Sequence, residues 1–178
     1  KIMNADLLNR YQLNDPKTPY TTTQGSLFDH LSDLGTASIY ATFNRDATLQ
    51  TPKLPLRAAW NTFVLHNHEM LDTLAYNALK RIYEGPINKI PHLSFIALLS
   101  IDILAHQEGA HAPRLLNHFT TIDRMIGDFW ALLEKRGLAN NTYLVIVGDH
   151  GNHDISERSY LRERLIKEGV AIRSRHMR

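Results

Sequence analysis

Apolar positions along this chain follow two different spacings. In "HEMLDTLAYNALKRIYEG", Leu71, Leu74, Ala75, Ala78 and Ile82 recur at i, i+3, i+4, i+7 and i+11. That spacing predicts an amphipathic helix stopped by Gly85. "PRLLNHFTTIDRMIGDFWALLEKRG" predicts the longest helix. Pro113 suits its first turn, Gly137 its end, and Leu115, Phe119, Ile122, Ile126, Phe129 and Leu133 its buried stripe. "GSLFDHLSDLG" reads as a short helix with Ser26 as N-cap, an apolar face of Leu27, Phe28, Leu31 and Leu34, and Gly35 as its stop. A basic helix is expected from about Ser156 to Lys167.

Between these helices the apolar residues run together. Residues 36–43, "TASIYATF", are β-branched and aromatic as in a strand. "HLSFIALLSID" (92–102) is a continuous apolar run ending at Asp102, and 142–148 is another, ending at Gly148. Both are expected as buried strands of a parallel sheet. Residues 1–25 and 44–58 carry the prolines and read as loops, and 169–178 as an irregular end. The alternation of elements predicts a single α/β domain over 1–178: a mostly parallel sheet with helices on both faces. Ligands of such sheets bind beyond the carboxyl ends of the strands.

Composition narrows the chemistry. The chain has 178 residues, a net charge of +2 and no cysteine. Near-balanced charge gives no case for binding a nucleic-acid duplex. The basic run near the end is read as a solvated helix and tail. Without cysteine, any metal must sit on nitrogen and oxygen ligands. No apolar run reaches the roughly 18–20 residues of a membrane span. The start at Lys1, without an apolar leader, reads as a section of a larger catalytic domain. Localisation is left open.

Ten histidines direct attention to two clusters. In "SIDILAHQEGAHAP", Asp102 and His106 are four residues apart. If the chain turns helically there, both side chains share one face, about 5–6 Å apart at Cβ. In "VGDHGNHD", Asp149 and His150 lie between Gly148 and Gly151, which permit a sharp bend. Each pair alone also fits a solvated carboxylate beside a surface histidine. Together, at the ends of two apolar strands, they point to a metal site. His111, His153 and Glu108 lie close in sequence and are candidates for contacting substrate or supporting the ligands. His66 and His68 are expected at a helix start and on the surface. Asp123, within the long helix, is either buried and hydrogen-bonded or facing water.

These residues resemble the alkaline phosphatase superfamily, specifically its type I phosphodiesterase/nucleotide pyrophosphatase branch. The branch carries a D-x-x-x-H-x-x-G element, matched by Asp102, His106 and Gly109. Its later S/G-D-H-G element is matched by Gly148-Asp149-His150-Gly151. The text between, "TIDRMIGDFWALLEKRGLANNTYLVIVGDHG", has a similar cadence, and the resemblance runs over roughly residues 20–152.

The resemblance implies an incomplete alkaline-phosphatase-like core and a metal-dependent hydrolase of phosphoric esters acting on a small phosphorylated substrate. It implies two divalent ions at the carboxyl ends of sheet strands, most often Zn²⁺, with Mn²⁺ as the alternative. Asp102 and His106 would hold one, Asp149 and His150 the other. The family's nucleophile, a Thr or Ser after a first strand, is not found: no apolar strand leads into Thr21, Thr22 or Thr23. A further downstream histidine ligand is also not found, since His153 follows too closely and His176 stands in the basic tail. Two alternatives stay open: a truncated or inactive relative serving as a binding module, and a sulfatase or phosphomutase of the same superfamily.

Overall fold

The structure, a computed structural model, describes residues 27–41, 44, 46–51, 60–62, 64–154 and 160–170. The polar start, Ser26, Thr21–Thr23, the end of the 36–43 stretch and His176 lie outside the described residues.

The first element is a short helix, α1 (Leu27–His30), followed by a 3-10 turn over Ser32–Leu34. Gly35, at φ 72°, then turns the chain into β1 (Thr36–Ile39). β1 pairs in parallel with β2 (Leu49–Gln50) on one side and β3 (Leu93–Ile96) on the other, giving the order β2-β1-β3. The register sets Thr36 opposite Leu93 and Ile39 opposite Ile96. The expected parallel α/β core is therefore present. β2 lies inside a stretch expected to be loop: two residues are too few to make an alternating pattern.

Helix α2 (Glu69–Glu84) and helix α4 (Pro113–Lys135) follow their apolar spacing. Ala75, Leu79 and Tyr83 of α2 and Phe129 and Leu133 of α4 pack with Ala37 and Ile39 of β1 in the main core. Tyr83 and Phe129 meet edge to face, centroids 5.0 Å apart. Such aromatic pairs contribute about 0.5–1.5 kcal/mol beyond their buried area. Thr36 and Ser38 point to the opposite face of β1 and are equally buried. Near the end of α4, the Arg136 guanidinium donates to the carbonyls of Glu84 and Gly85, satisfying acceptors that the last turn of α2 leaves open. A smaller core of Leu104, Ala105 and Leu115 joins α4 to helix α3 (Ser100–Glu108). The last described helix is α5 (Leu161–Lys167), shorter than its expected span. Among the described residues, no helix is long and apolar enough to cross a membrane.

Two expected strands differ from the structure. The run 92–102 is a strand only over Leu93–Ile96, and helix α3 begins at Ser100, so Asp102 stands in the first turn of a helix and not at a strand end. A continuous apolar run does not by itself separate a buried strand from a buried helical segment. The second is 142–148. No β-ladder includes it among the described residues, and Tyr143 and Val147 are 96% and 78% exposed. Strand propensity expresses the fit of a side chain to a pleated, half-buried surface. Among the described residues no neighbouring strand supplies that surface to 142–148. The apolar stripe of α4 is also narrower than expected: Phe119 is exposed, while His118 is buried.

Candidate metal centre

Helix α3 carries the first pair. Asp102 and His106 are one turn apart, and His106 Nε2 lies 3.3 Å from Asp102 Oδ1. Gly109 ends the helix at φ 100° and ψ 158°, a conformation open essentially only to glycine. The second pair lies in the loop after residue 148. His150 donates from its backbone amide to Asp149 Oδ1 at 3.0 Å. Its Nδ1 lies 3.1 Å from the Gly151 carbonyl, to which it donates. A ring proton at Nδ1 leaves the Nε2 lone pair of a neutral imidazole free.

The two pairs meet. His150 Nε2 is 3.9 Å from Asp102 Oδ1 and 3.6 Å from Asp149 Oδ2. Asp102 Oδ1 is itself shielded from solvent and accepts no hydrogen bond from the described residues, although the Asp102 side chain as a whole is 47% exposed. A shielded carboxylate oxygen without a donor is costly. With Nδ1 protonated, His150 also turns a lone pair toward two carboxylates. A cation resolves both conflicts; the Nε2–H tautomer of His106 answers only the first.

The donors are of the types a divalent ion takes. Two donors on one tetrahedral ion with bonds of about 2.1 Å are separated by about 3.4 Å, and the His106–Asp102 separation matches this. Contacts among the four side chains are pairwise: no three His, Asp or Glu groups among the described residues are gathered as one ion site. Among the described residues, neither pair sits at the end of a paired strand. Asp102 and His106 stand on a helix beyond the carboxyl end of β3, and Asp149 and His150 follow the 142–148 stretch.

Beside His106 opens a cleft of about 570 Å³ lined by Glu108, Gly109, His111, Asn152, His153 and Asp154, among others. His111 and His153, proposed from sequence position alone, thus face the same space. Asp154 Oδ1 accepts from the Ala110 amide at 2.7 Å and joins the two loops that form the cleft. Glu108 is engaged: Arg114 Nη1 donates to its Oε1 at 2.9 Å. Arg114 also holds Glu69 bidentately, at 2.6 and 2.7 Å, and donates to the His66 carbonyl. These hydrogen bonds hold the Glu69 carboxyl below its usual value and raise the guanidinium further.

Sequence reasoning missed the groups behind α3. Asp72 is fully buried. Its Oδ1 accepts from the Leu99 and Ser100 amides at 2.8 and 3.2 Å, and its Oδ2 accepts from His118 Nε2 at 2.8 Å. His68, expected on the surface, is buried at the start of α2, where its carbonyl accepts from Ser100 Oγ at 2.6 Å. Burial, followed by the nearby charges of His66 and Arg114, lowers its ring below the ordinary histidine value. Asp123 is exposed. A signal existed: Asp72 falls in register with Ala75, Leu79 and Tyr83, and His118 with Leu115 and Ile122. A polar residue on an apolar helical stripe is buried, and so needs a partner.

A family model for type I phosphodiesterase / nucleotide pyrophosphatase matches residues 16–176. The chain belongs to this family, within the alkaline phosphatase superfamily. At the level of the family, the activity is that of a phosphoric ester hydrolase. Comparison with curated proteins found no match, and comparison with solved structures found none.

Proposed function

We propose that this chain carries part of a two-metal centre that hydrolyses small phosphoric esters, with Asp102 and His106 on one divalent ion and Asp149 and His150 on the other. Zn²⁺ is the first choice and Mn²⁺ the second, since the chain offers only nitrogen and oxygen donors. One observation supports this reading above the others: the shielded Asp102 Oδ1 accepts no hydrogen bond from the described residues and is faced by imidazole nitrogens from both pairs, at 3.3 and 3.9 Å.

Divalent ions held by these four side chains would supply positive charge to the phosphoryl group. The chain's own groups prepare that site. Asp102 and Asp149 supply negative charge. The hydrogen bond from His150 Nδ1 to Gly151 fixes the tautomer that leaves Nε2 free to bind. His111 and His153, on the cleft wall beside His106, can donate to the non-bridging oxygens or the leaving group of the ester. Glu108, held by Arg114, shapes the wall.

The test is metal content of the purified protein, measured together with hydrolysis of a generic aryl phosphodiester. Asp149→Ala is expected to lower bound metal and to reduce the rate at least about 100-fold, on the order of a lost electrostatic contact to the transition state. Unchanged metal content and rate in that variant refute the assignment.

A further inference from the structure

The amino end of α3, the helix that carries Asp102 and His106, is held from behind by another helix. Leu99 and Ser100 donate their amides to Asp72 Oδ1. Leu99, the residue preceding α3, makes no side-chain cap at this end. Asp72, on α2, therefore performs the capping that a Ser or Asp at the N-cap normally provides. Its other oxygen is occupied by His118 Nε2 from α4. The side chains of Asp72 and His118 are 0% and 3% exposed. Ser100 is tied a second time, by its hydroxyl, to the His68 carbonyl.

We infer that the Asp72–His118 pair is a positioning device for the proposed metal centre: His118 fixes the Asp72 carboxylate, and Asp72 fixes the start of α3 and so the places of Asp102 and His106. The inference rests on the metal reading above. Its physical basis is distance and stiffness. Asp102 is two residues from Ser100, inside the same first turn, and His106 is one further turn along. A helix transmits a shift at its first residues to both side chains, and ligand sets tolerate only about 0.5 Å of error. Burial gives the brace its stiffness, because an unpaired Asp72 or His118 in this interior carries a large desolvation cost.

Three variants test it on the whole chain. His118→Phe keeps a ring and removes the donor. His118→Gln keeps a donor near the Nε2 position. Asp102→Ala removes a proposed ligand. Each is titrated with Co²⁺ as probe, following the visible absorption band and the affinity, at a temperature where circular dichroism and thermal melting show a folded chain. The expected result is a 10–100-fold loss of Co²⁺ affinity with a shifted band in His118→Phe, as for other residues that orient metal ligands. His118→Gln should recover most of both, and Asp102→Ala should abolish the band. Wild-type affinity and spectrum in folded His118→Phe overturn the inference, and loss of the band in Asp102→Ala then leaves the metal reading standing. A wild-type chain that binds no Co²⁺ overturns both. If His118→Phe does not fold, Asp72→Asn takes its place; it keeps shape and removes the charge facing the amino end of α3, and wild-type affinity there overturns the inference.

Discussion

Asp154 Oδ1 accepts the Ala110 amide at 2.7 Å, so the loop after Asp149–His150 is bonded to the loop after Asp102–His106. That bond closes one side of the cleft. Gly109 leaves room for it: a Cβ built there would come within 3.1 Å of the same carboxylate oxygen, which would have to shift. Asp154→Ala removes the acceptor. Ala110 amide exchange should accelerate about fivefold, matching a bond of about 1 kcal/mol, with little change in global stability. Gly109→Ala is the harsher change, since φ is 100° there. It should cost about 1–3 kcal/mol in denaturant unfolding and weaken metal uptake.

His68 makes stability depend on pH near neutrality. Its ring in the folded chain sits below the ordinary value of 6.5, first because it is buried. As pH falls, the unfolded chain takes up this proton before the folded chain does. Stability is therefore full above pH 6.5 and declines as pH drops through 6.5 toward the lowered folded value. Urea midpoints measured at pH 7.5 and 5.5 should differ in the wild type, and the difference should shrink in His68→Asn. An equal slope in both proteins removes His68 as the cause.

Glu69 acts on the acid side by the same logic. Its pairing with Arg114 depresses the carboxyl below 4.5. The stability contributed is present above pH 4.5 and disappears as pH falls through the depressed folded value. Arg114→Ala cuts the links to Glu69, Glu108 and the His66 carbonyl together. Because the Arg114 side chain is 38% exposed, solvent screening limits the loss, and about 1–2 kcal/mol is expected at pH 7. The acid limb of the stability profile should flatten in the same variant.

The main core offers a control for all of these. Leu133 is fully buried against β1 and α2. Leu133→Ala should destabilise by about 2–5 kcal/mol and leave metal affinity of the folded protein unchanged, because α3 packs in the separate cluster around Leu104 and Leu115. A large affinity loss in folded Leu133→Ala would mean that the two cores are coupled.

How far the sequence could be read depended on whether the information was local. Helices α2 and α4 were legible because a helix buries one face and its spacing repeats every turn. Asp102 and His106 were legible as a pair for the same reason: spacing of four on a helix is a local fact. The limits of β3 and the state of 142–148 were not, because a strand is defined by its neighbour, and apolar content alone does not name one. Asp72 and His118 were legible in principle. Each interrupts an apolar stripe at a position that must be buried, but their pairing joins residues 46 apart in sequence, and only the packing of α2 on α4 brings them together.

The stretch from Tyr143 to Val147 carries a consequence for handling the protein. Five consecutive apolar or aromatic side chains lie at least 41% exposed, and no backbone hydrogen bond pairs them with another strand among the described residues. Segments with this composition, no proline and no charge are the ones through which chains zip together at high concentration. Dilute samples, and solvents that keep such a ribbon apart, suit this polypeptide better than crowded ones.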